Sequence, residues 1–168
     1  VANYWEQVLF INEWQRKRIS SLIIEKFFGT VSNKKIVILG FSFKCNTNDT
    51  RESPSIQIAK DLIENGATLF ISDPKVTSKQ IEKELKLNEF KTDKDSYGSW
   101  SFANDIYYAS KNADAILIAT EWEEYRDLDW RKLANLLRKP SWIFDTRNII
   151  SKENIMDLDT NFWQIGTS

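Results

Sequence analysis

Lys35-Ile-Val-Ile-Leu-Gly40, running straight into Phe41-Ser-Phe-Lys-Cys-Asn-Thr-Asn-Asp-Thr-Arg-Glu-Ser-Pro-Ser55, is the stretch on which the fold turns. An unbroken apolar run of strand length, rich in β-branched residues and closed by glycine, reads as a buried strand of a parallel sheet. Ser53 then suits a helix N-cap, with Pro54 at the first helical position, where its missing N–H costs nothing. That helix stops at Gly66, and Thr68-Leu-Phe-Ile-Ser72 follows as a second strand, ended by Asp73-Pro74. Further along, the pattern predicts a short polar helix over 78–86 and a loop or insertion over 87–100. A helix over 101–112 and a third strand, Asp114-Ala-Ile-Leu-Ile-Ala-Thr120, come next. A helix over 129–137, the strand Trp142-Ile-Phe-Asp145 and a last strand near 161–165 complete the chain. Strands alternating with helices predict an α/β class: a Rossmann-like three-layer parallel sheet with helices on both faces.

Upstream of this unit, residues 1–28 contain neither Gly nor Pro, and Gly29 is placed to stop a helix. Trp5, Val8, Leu9, Asn12, Gln15, Arg16, Ile19, Leu22, Ile23 and Phe27 fall near helical spacing, while Phe10 and Trp14 lie off that stripe. Such a helix is about 40 Å long, more than a domain of this size needs. Residues 1–29 are therefore read as a linking or dimerisation helix and 30–168 as the domain proper, against the simpler reading of a helix packed only on its own domain.

Composition excludes several chemistries. With no histidine among 168 residues, the chain cannot build a Ser-His-Asp triad or a His-ligated metal site. The single cysteine, Cys45, excludes an intrachain disulfide and a thiolate zinc site, so no metal is expected. A net charge of -1 argues against nucleic acid as a partner. No apolar run approaches the roughly 18 residues of a membrane span. The opening Val1-Ala2-Asn3-Tyr4-Trp5 resembles neither a signal peptide nor a native methionine start, which predicts a piece of a longer chain. The lone thiol suits the reducing cytoplasm.

Ligands of open parallel sheets bind beyond the carboxyl ends of the strands, where the strand order reverses. After the first strand, Gly40 is followed by Phe41, Ser42 and Phe43, which is not the G-x-G-x-x-G of a pyrophosphate cradle. The loop instead offers Lys44 and Arg51 beside Phe43, and Arg147 follows the strand that ends at Asp145. Cations converging there suit a polyanion such as a diphosphate. The alternative is that Lys44 and Arg51 simply pair with Asp49 and Glu52. Asp73 occupies the place of a ribose-binding acid but reads more simply as a turn and strand stop. Glu121-Trp122 with Glu123 and Glu124 reads as an acidic helix start, Cys45 as a bystander thiol, and the seven tryptophans as core or interface anchors.

The segments "ILGFSFKCNTNDTRESPS" (38–55), "DP" (73–74), "ATEW" (119–122) and "IFDTRN" (143–148) together resemble the carboxyl-terminal domain of the UDP-glucose 6-dehydrogenases, within the UDP-glucose/GDP-mannose dehydrogenase family. The leading "VANYWEQVLFINEWQRKRI" resembles that family's central helix, so the resemblance covers essentially the whole chain. It implies an enzyme that oxidises UDP-glucose to UDP-glucuronate in two NAD-dependent steps. An amino-terminal Rossmann domain would bind NAD, this domain would hold the UDP-sugar, and the helix would build a homo-oligomer. By motif, Phe43, Lys44 and Arg147 match substrate contacts and Arg51 a position that reaches NAD. The family's catalytic cysteine, its partner lysine and aspartate, and the NAD-binding glycines match nothing from Val1 onward. No catalytic residue is therefore assigned here, and the chain alone is expected to be inactive. Alternatives are a free-standing non-catalytic nucleotide-binding module, or a related dehydrogenase acting on GDP-mannose or UDP-N-acetylmannosamine.

Overall fold

β1 (Lys35–Leu39) lies in the interior of a six-stranded sheet and is covered on both faces, which is why its side chains are almost all buried. The computed structural model describes residues 2–90 and 98–166. In chain order the elements are α1 (Ala2–Lys26), β1, α2 (Pro54–Glu64), β2 (Thr68–Ser72), α3 (Ser78–Leu85) and β3 (Ser99–Phe102). They continue with α4 (Ile106–Ser110), β4 (Ala115–Ile118), α5 (Glu123–Arg126), α6 (Trp130–Leu136), β5 (Trp142–Asp145) and β6 (Asn161–Gln164). The strand order is β3-β2-β1-β4-β5-β6 and every pairing is parallel. The chain works outward from β1 to β3, then returns to β4 on the other side of β1. The topological switch therefore falls between the carboxyl ends of β1 and β4.

The strand period of two sorts the core into two layers. Ile36 and Ile38, with Leu69, Ile71, Leu117 and Phe144, face α1 and α2 and meet Ile23, Phe27, Ile58 and Leu62. Val37 and Leu39, with Ile116, Ile118 and Ile143, face the opposite helices and meet Ala109, Tyr125, Trp130 and Leu133. The three-layer Rossmann-like α/β architecture expected from the alternating pattern is the one observed. Ser53 caps α2, its side-chain oxygen accepting from the Ser55 N–H, with Pro54 in the first turn.

One expected element is wrong. The helix expected over 101–112 begins only at Ile106, and the preceding Ser99–Phe102, divided in the sequence reading between loop and helix, is the edge strand β3. The reason is local. Trp100 is buried in the α2-side layer with Phe102 packed beside it, the period of a strand, and the Asp105 carboxylate accepts from the Tyr107 and Tyr108 N–H groups, starting the helix four residues later. The loop expected over 87–100 falls partly on residues 91–97, outside the described residues. The helix expected over 129–137 is α6, and a further short helix, α5, precedes it.

α1 divides along its length. Its carboxyl-terminal part delivers Ile23 and Phe27 to the core, with Ile19 and Ile24 packed alongside. Towards the other end Tyr4, Trp5, Leu9, Phe10, Ile11 and Trp14 are exposed. No described helix is long and apolar enough to cross a membrane. Because Ile23 is fully buried, Ile23→Ala should lower unfolding free energy by about 2–5 kcal/mol in urea denaturation. Phe28→Ala, two residues beyond the end of α1 and 98% exposed, should change it by less than about 0.5 kcal/mol.

Candidate functional site

The loop after β1 is pressed against the end of β4. Gly40 has φ +96°, and a Cβ there would stand 2.4 Å from Thr120 Cβ and 2.8 Å from the Thr120 nitrogen, so only glycine fits. Next in line, Phe41 and Ser42 are buried, and their N–H groups donate to Asp73 Oδ2 at 2.7 and 3.0 Å. The Ser42 carbonyl accepts from Thr120 Oγ1 at 2.9 Å, while Ser42 Oγ donates to the Lys44 carbonyl at 2.9 Å. The Phe43 N–H donates to the Asp49 carbonyl at 2.8 Å and closes 43–49 into a loop. Phe43 and Lys44 project from this braced base into solvent. Among the described residues the Lys44 side chain makes no hydrogen bond or ion pair.

Arg147 reaches the same switch point from the other side. Asp145, the buried last residue of β5, accepts from the Arg147 N–H at 3.0 Å through Oδ1, and through Oδ2 from the Ile149 and Ile150 N–H groups and Gln164 Nε2. The resulting turn lays the Arg147 side chain back over β4, where Nε donates to the Ala119 carbonyl at 2.8 Å and lies 3.4 Å from Glu121 Oε2. Its neighbour Thr120 is the residue that grips the β1 loop. Phe43, Lys44 and Arg147 thus stand on adjoining loops over the β1/β4 switch point, joined through Ala119, Thr120 and Ser42.

Arg51 behaves differently. Its Nε and Nη2 bind the Asp49 carboxylate at 3.0 and 2.8 Å, the pairing anticipated as the simpler alternative. The side-chain and backbone hydrogen bonds from Arg51 hold the Asp49 carboxyl down at about 2, and the carboxylate in turn raises the guanidinium. Arg51 therefore stays on the rim of the loop, clamped and exposed.

Asp73 is more than a turn. Besides the two β1-loop amides, Oδ2 accepts from Trp122 Nε1 at 3.3 Å, and Oδ1 accepts from the Lys75 and Val76 N–H groups at 2.9 Å each. A ribose-binding acid needs free lone pairs, and these are spent on the protein itself. Beyond the ends of β2 and β3 lies a cavity of about 930 Å³. Its walls carry Glu89, Asp105 and Glu124 against one cation, Lys75, the wrong sign for a phosphate. At its side Tyr125 is buried and its hydroxyl donates to the Ser72 carbonyl at 3.2 Å. Burial, followed by the charges of Asp73 and Glu124, pushes this phenol well above its ordinary range. Glu123 and Glu124 occupy the first turn of α5 as expected, but Glu121 turns instead towards Arg147. Cys45 is half-buried, its sulfur 3.7 Å from Asn46 Nδ2. The sequence reading gave Ser42 and Thr120 no role and took Glu121 only as part of an acidic helix start. Their one signal was position, since each follows directly on β1 or β4 at the switch.

A parallel sheet in this order, with loops braced over its switch point, defines an open α/β domain of the nucleotide-binding kind whose own dinucleotide cradle is closed. The sequence profile described as the UDP-glucose/GDP-mannose dehydrogenase family, UDP binding domain, matches residues 37–152. The chain is 39% identical over 179 residues to UDP-glucose 6-dehydrogenase 2 of Arabidopsis thaliana, covering 99% of this chain and 36% of that protein. UDP-glucose 6-dehydrogenase 1 of Glycine max is 39% identical over 175 residues with the same coverage. Among solved structures, a UDP-glucose dehydrogenase of Pyrobaculum islandicum superposes with a TM-score of 0.63 at 25% identity, over 94% of this chain and 31% of that one. A UDP-D-ManNAc dehydrogenase of Pyrococcus horikoshii shares the fold with a TM-score of 0.65 at 23% identity, over 90% of this chain and 31% of that one. The chain belongs to the UDP-glucose/GDP-mannose dehydrogenase family, and corresponds to its UDP binding domain. It spans about a third of the length of the curated relatives it matches, 36% in each case cited.

The Asp73 network sets a stability test. Asp73→Asn removes the charge and turns one acceptor into an NH2 group facing N–H donors. Unfolding free energy in urea should fall by about 2–3 kcal/mol, and a change near zero would show that the donors find other partners.

Proposed function

We propose that this chain is the UDP-sugar-binding part of an NAD-dependent UDP-glucose 6-dehydrogenase, which oxidises UDP-glucose to UDP-glucuronate in two steps. The observation that carries the reading is the cation pair at the switch point. Lys44 has no partner among the described residues, and Arg147 is engaged at Nε while neither Nη makes a hydrogen bond there. A free ammonium and a free guanidinium fork on adjoining loops fit a diphosphate, which accepts charge-assisted and bidentate hydrogen bonds. Exposed Phe43 next to Lys44 supplies an apolar face for the rest of the nucleotide sugar. The 39% identity to plant UDP-glucose 6-dehydrogenases favours UDP-glucose within the family.

When bound, NAD would supply the hydride acceptor for both steps. This chain does not fit a full dinucleotide site, because Asp73 consumes the amides that follow β1. In this reading NAD is bound by an amino-terminal domain outside the chain, and Arg51, held out on Asp49, reaches across to it. The catalytic residues lie in that domain as well. Residues 1–29 join the two domains and build a homo-oligomer, and 30–168 bind the substrate. The protein works in the cytoplasm, consistent with its single unpaired cysteine.

Calorimetry of the 168-residue chain against UDP tests the site. Lys44→Ala and Arg147→Ala should each weaken binding about tenfold, the size of one charge-assisted hydrogen bond. Unchanged affinity in both variants removes the pair from the site. UDP-glucose should bind more tightly than GDP-mannose or UDP-N-acetylmannosamine, and NAD with UDP-glucose should give no NADH.

The oligomer rests on the exposed apolar residues of α1, which cover more than one face of the helix. Sedimentation equilibrium should find a dimer that dissociates in a Trp5→Ser, Phe10→Ser, Trp14→Ser triple variant. A monomer before substitution sinks this part of the reading.

A further inference from the structure

We propose that Glu121 is the positioning residue of Arg147: it holds the guanidinium by its inner edge so that both terminal nitrogens are presented to the diphosphate. The inference rests on the UDP-binding reading above and adds to it a residue that contributes no contact to the nucleotide of its own.

Three observations lead there. Arg147 Nε lies between two oxygens, the Ala119 carbonyl at 2.8 Å and Glu121 Oε2 at 3.4 Å. Nε is the corner of the guanidinium next to the chain, so both contacts fall on the same side of the planar group and leave the outer fork open. Second, Glu121 Oε2 is shut off from solvent yet accepts no hydrogen bond. A carboxylate oxygen in that state is costly, and a pair with side chains 30% and 34% exposed returns little stability on its own. Its placement is explained by what it does to the guanidinium. Third, Glu121 lies between Thr120, which grips the β1 loop through Ser42, and Trp122, which donates to Asp73. Thr120 is anchored to the loop that carries Phe43 and Lys44 directly and Trp122 is anchored to it through Asp73, so the carboxylate sits on a fixed base and sets the position of Arg147 relative to that loop.

An arginine free to swing must be ordered when the ligand arrives, whereas one already held loses less on binding. Glu121 acts through the acceptor oxygen facing Nε, on the side of the guanidinium away from the fork. Its effect therefore belongs to the diphosphate and not to the nucleoside.

The test is a double-mutant cycle on the 168-residue chain, read by calorimetry with UDP and with uridine, which lacks the diphosphate. Glu121→Ala should weaken UDP binding about three- to tenfold, the size of ordering one long side chain at a site. It should leave uridine binding unchanged. In an Arg147→Ala background, Glu121→Ala should cause no further loss, and Glu121→Gln, which removes the charge facing Nε, should lose about as much affinity as Glu121→Ala. Equal losses for UDP and uridine, or the same loss with and without Arg147, would reduce Glu121 to a structural role and overturn the inference. Unchanged or tighter UDP binding in Glu121→Ala overturns it too. If Arg147→Ala itself leaves UDP binding intact, the UDP site as drawn falls first, and the two failures are told apart.

Discussion

Five N–H groups from three separate loops converge on the carboxylate of Asp73. Two come from the turn after β1, two from the turn after β2, and one from the Trp122 indole just beyond β4. In a dinucleotide-binding relative of this fold, the amides after the first strand face a bound pyrophosphate. Here they face an anion that the chain carries itself. The consequence is a sheet with dinucleotide topology whose turn after β1 is closed, its amides turned onto Asp73. Phe41 can be buried and Ser42 can brace the loop because no ligand has to approach the backbone there.

Charge accounting at the two edges of the sheet makes the same point. At the amino-terminal edge, Asp114 accepts from the Lys35 N–H at 2.8 Å and from Arg138 Nε and Nη2 at 3.0 and 2.7 Å, so acid and base cancel in place. At the carboxyl edge, Asp73 and Asp145 are satisfied by N–H groups and, among the described residues, bind no cationic side chain. Neutral donors thus quench the buried acids where ligands approach, leaving Lys44 uncompensated and Arg147 with its fork free. The split follows from burial: an acid at a strand end can be capped by amides of its own turn, while a long cationic side chain reaches solvent easily.

Much of this was legible in the sequence, and the limits have physical causes. β1, β2 and β4 announce themselves because a strand covered on both faces must be apolar throughout. β3 does not, since an edge strand reading Ser99-Trp-Ser-Phe102 offers only two apolar side chains, and a helix does start close behind it. The positions of Phe43, Lys44 and Arg147 followed from the rule that ligands meet strand ends. Which loop cation would be spent was hinted at only by distance, since Arg51 lies two residues from Asp49 and one from Glu52 whereas Lys44 lies five from Asp49. The Arg51 pairing depends on a turn that brings Asp49 back by two residues. Asp73 and Glu121 were seen but under-read. The partners of Asp73 lie 32 and 49 positions away, and no local pattern encodes such a separation.

The long helix is tied to the same loop. α1 packs on α2 through the layer that holds Ile23, Ile58 and Leu62, and Ser20 Oγ donates to Asp61 Oδ2 at 2.5 Å. α2 in turn starts on the loop after β1: Ser53 Oγ donates to the Ser42 carbonyl and Ser55 Oγ to the Gly40 carbonyl. From the exposed aromatic end of α1 to the base of Phe43 and Lys44, the connection runs through packed side chains and hydrogen bonds within one layer. Side chains packed at interior density cannot shift independently, so whatever covers the outer half of α1 bears on the frame in which those two residues are held. The helix is exposed along its amino-terminal half and, in its carboxyl-terminal half, packed into the layer that supports the loop after β1.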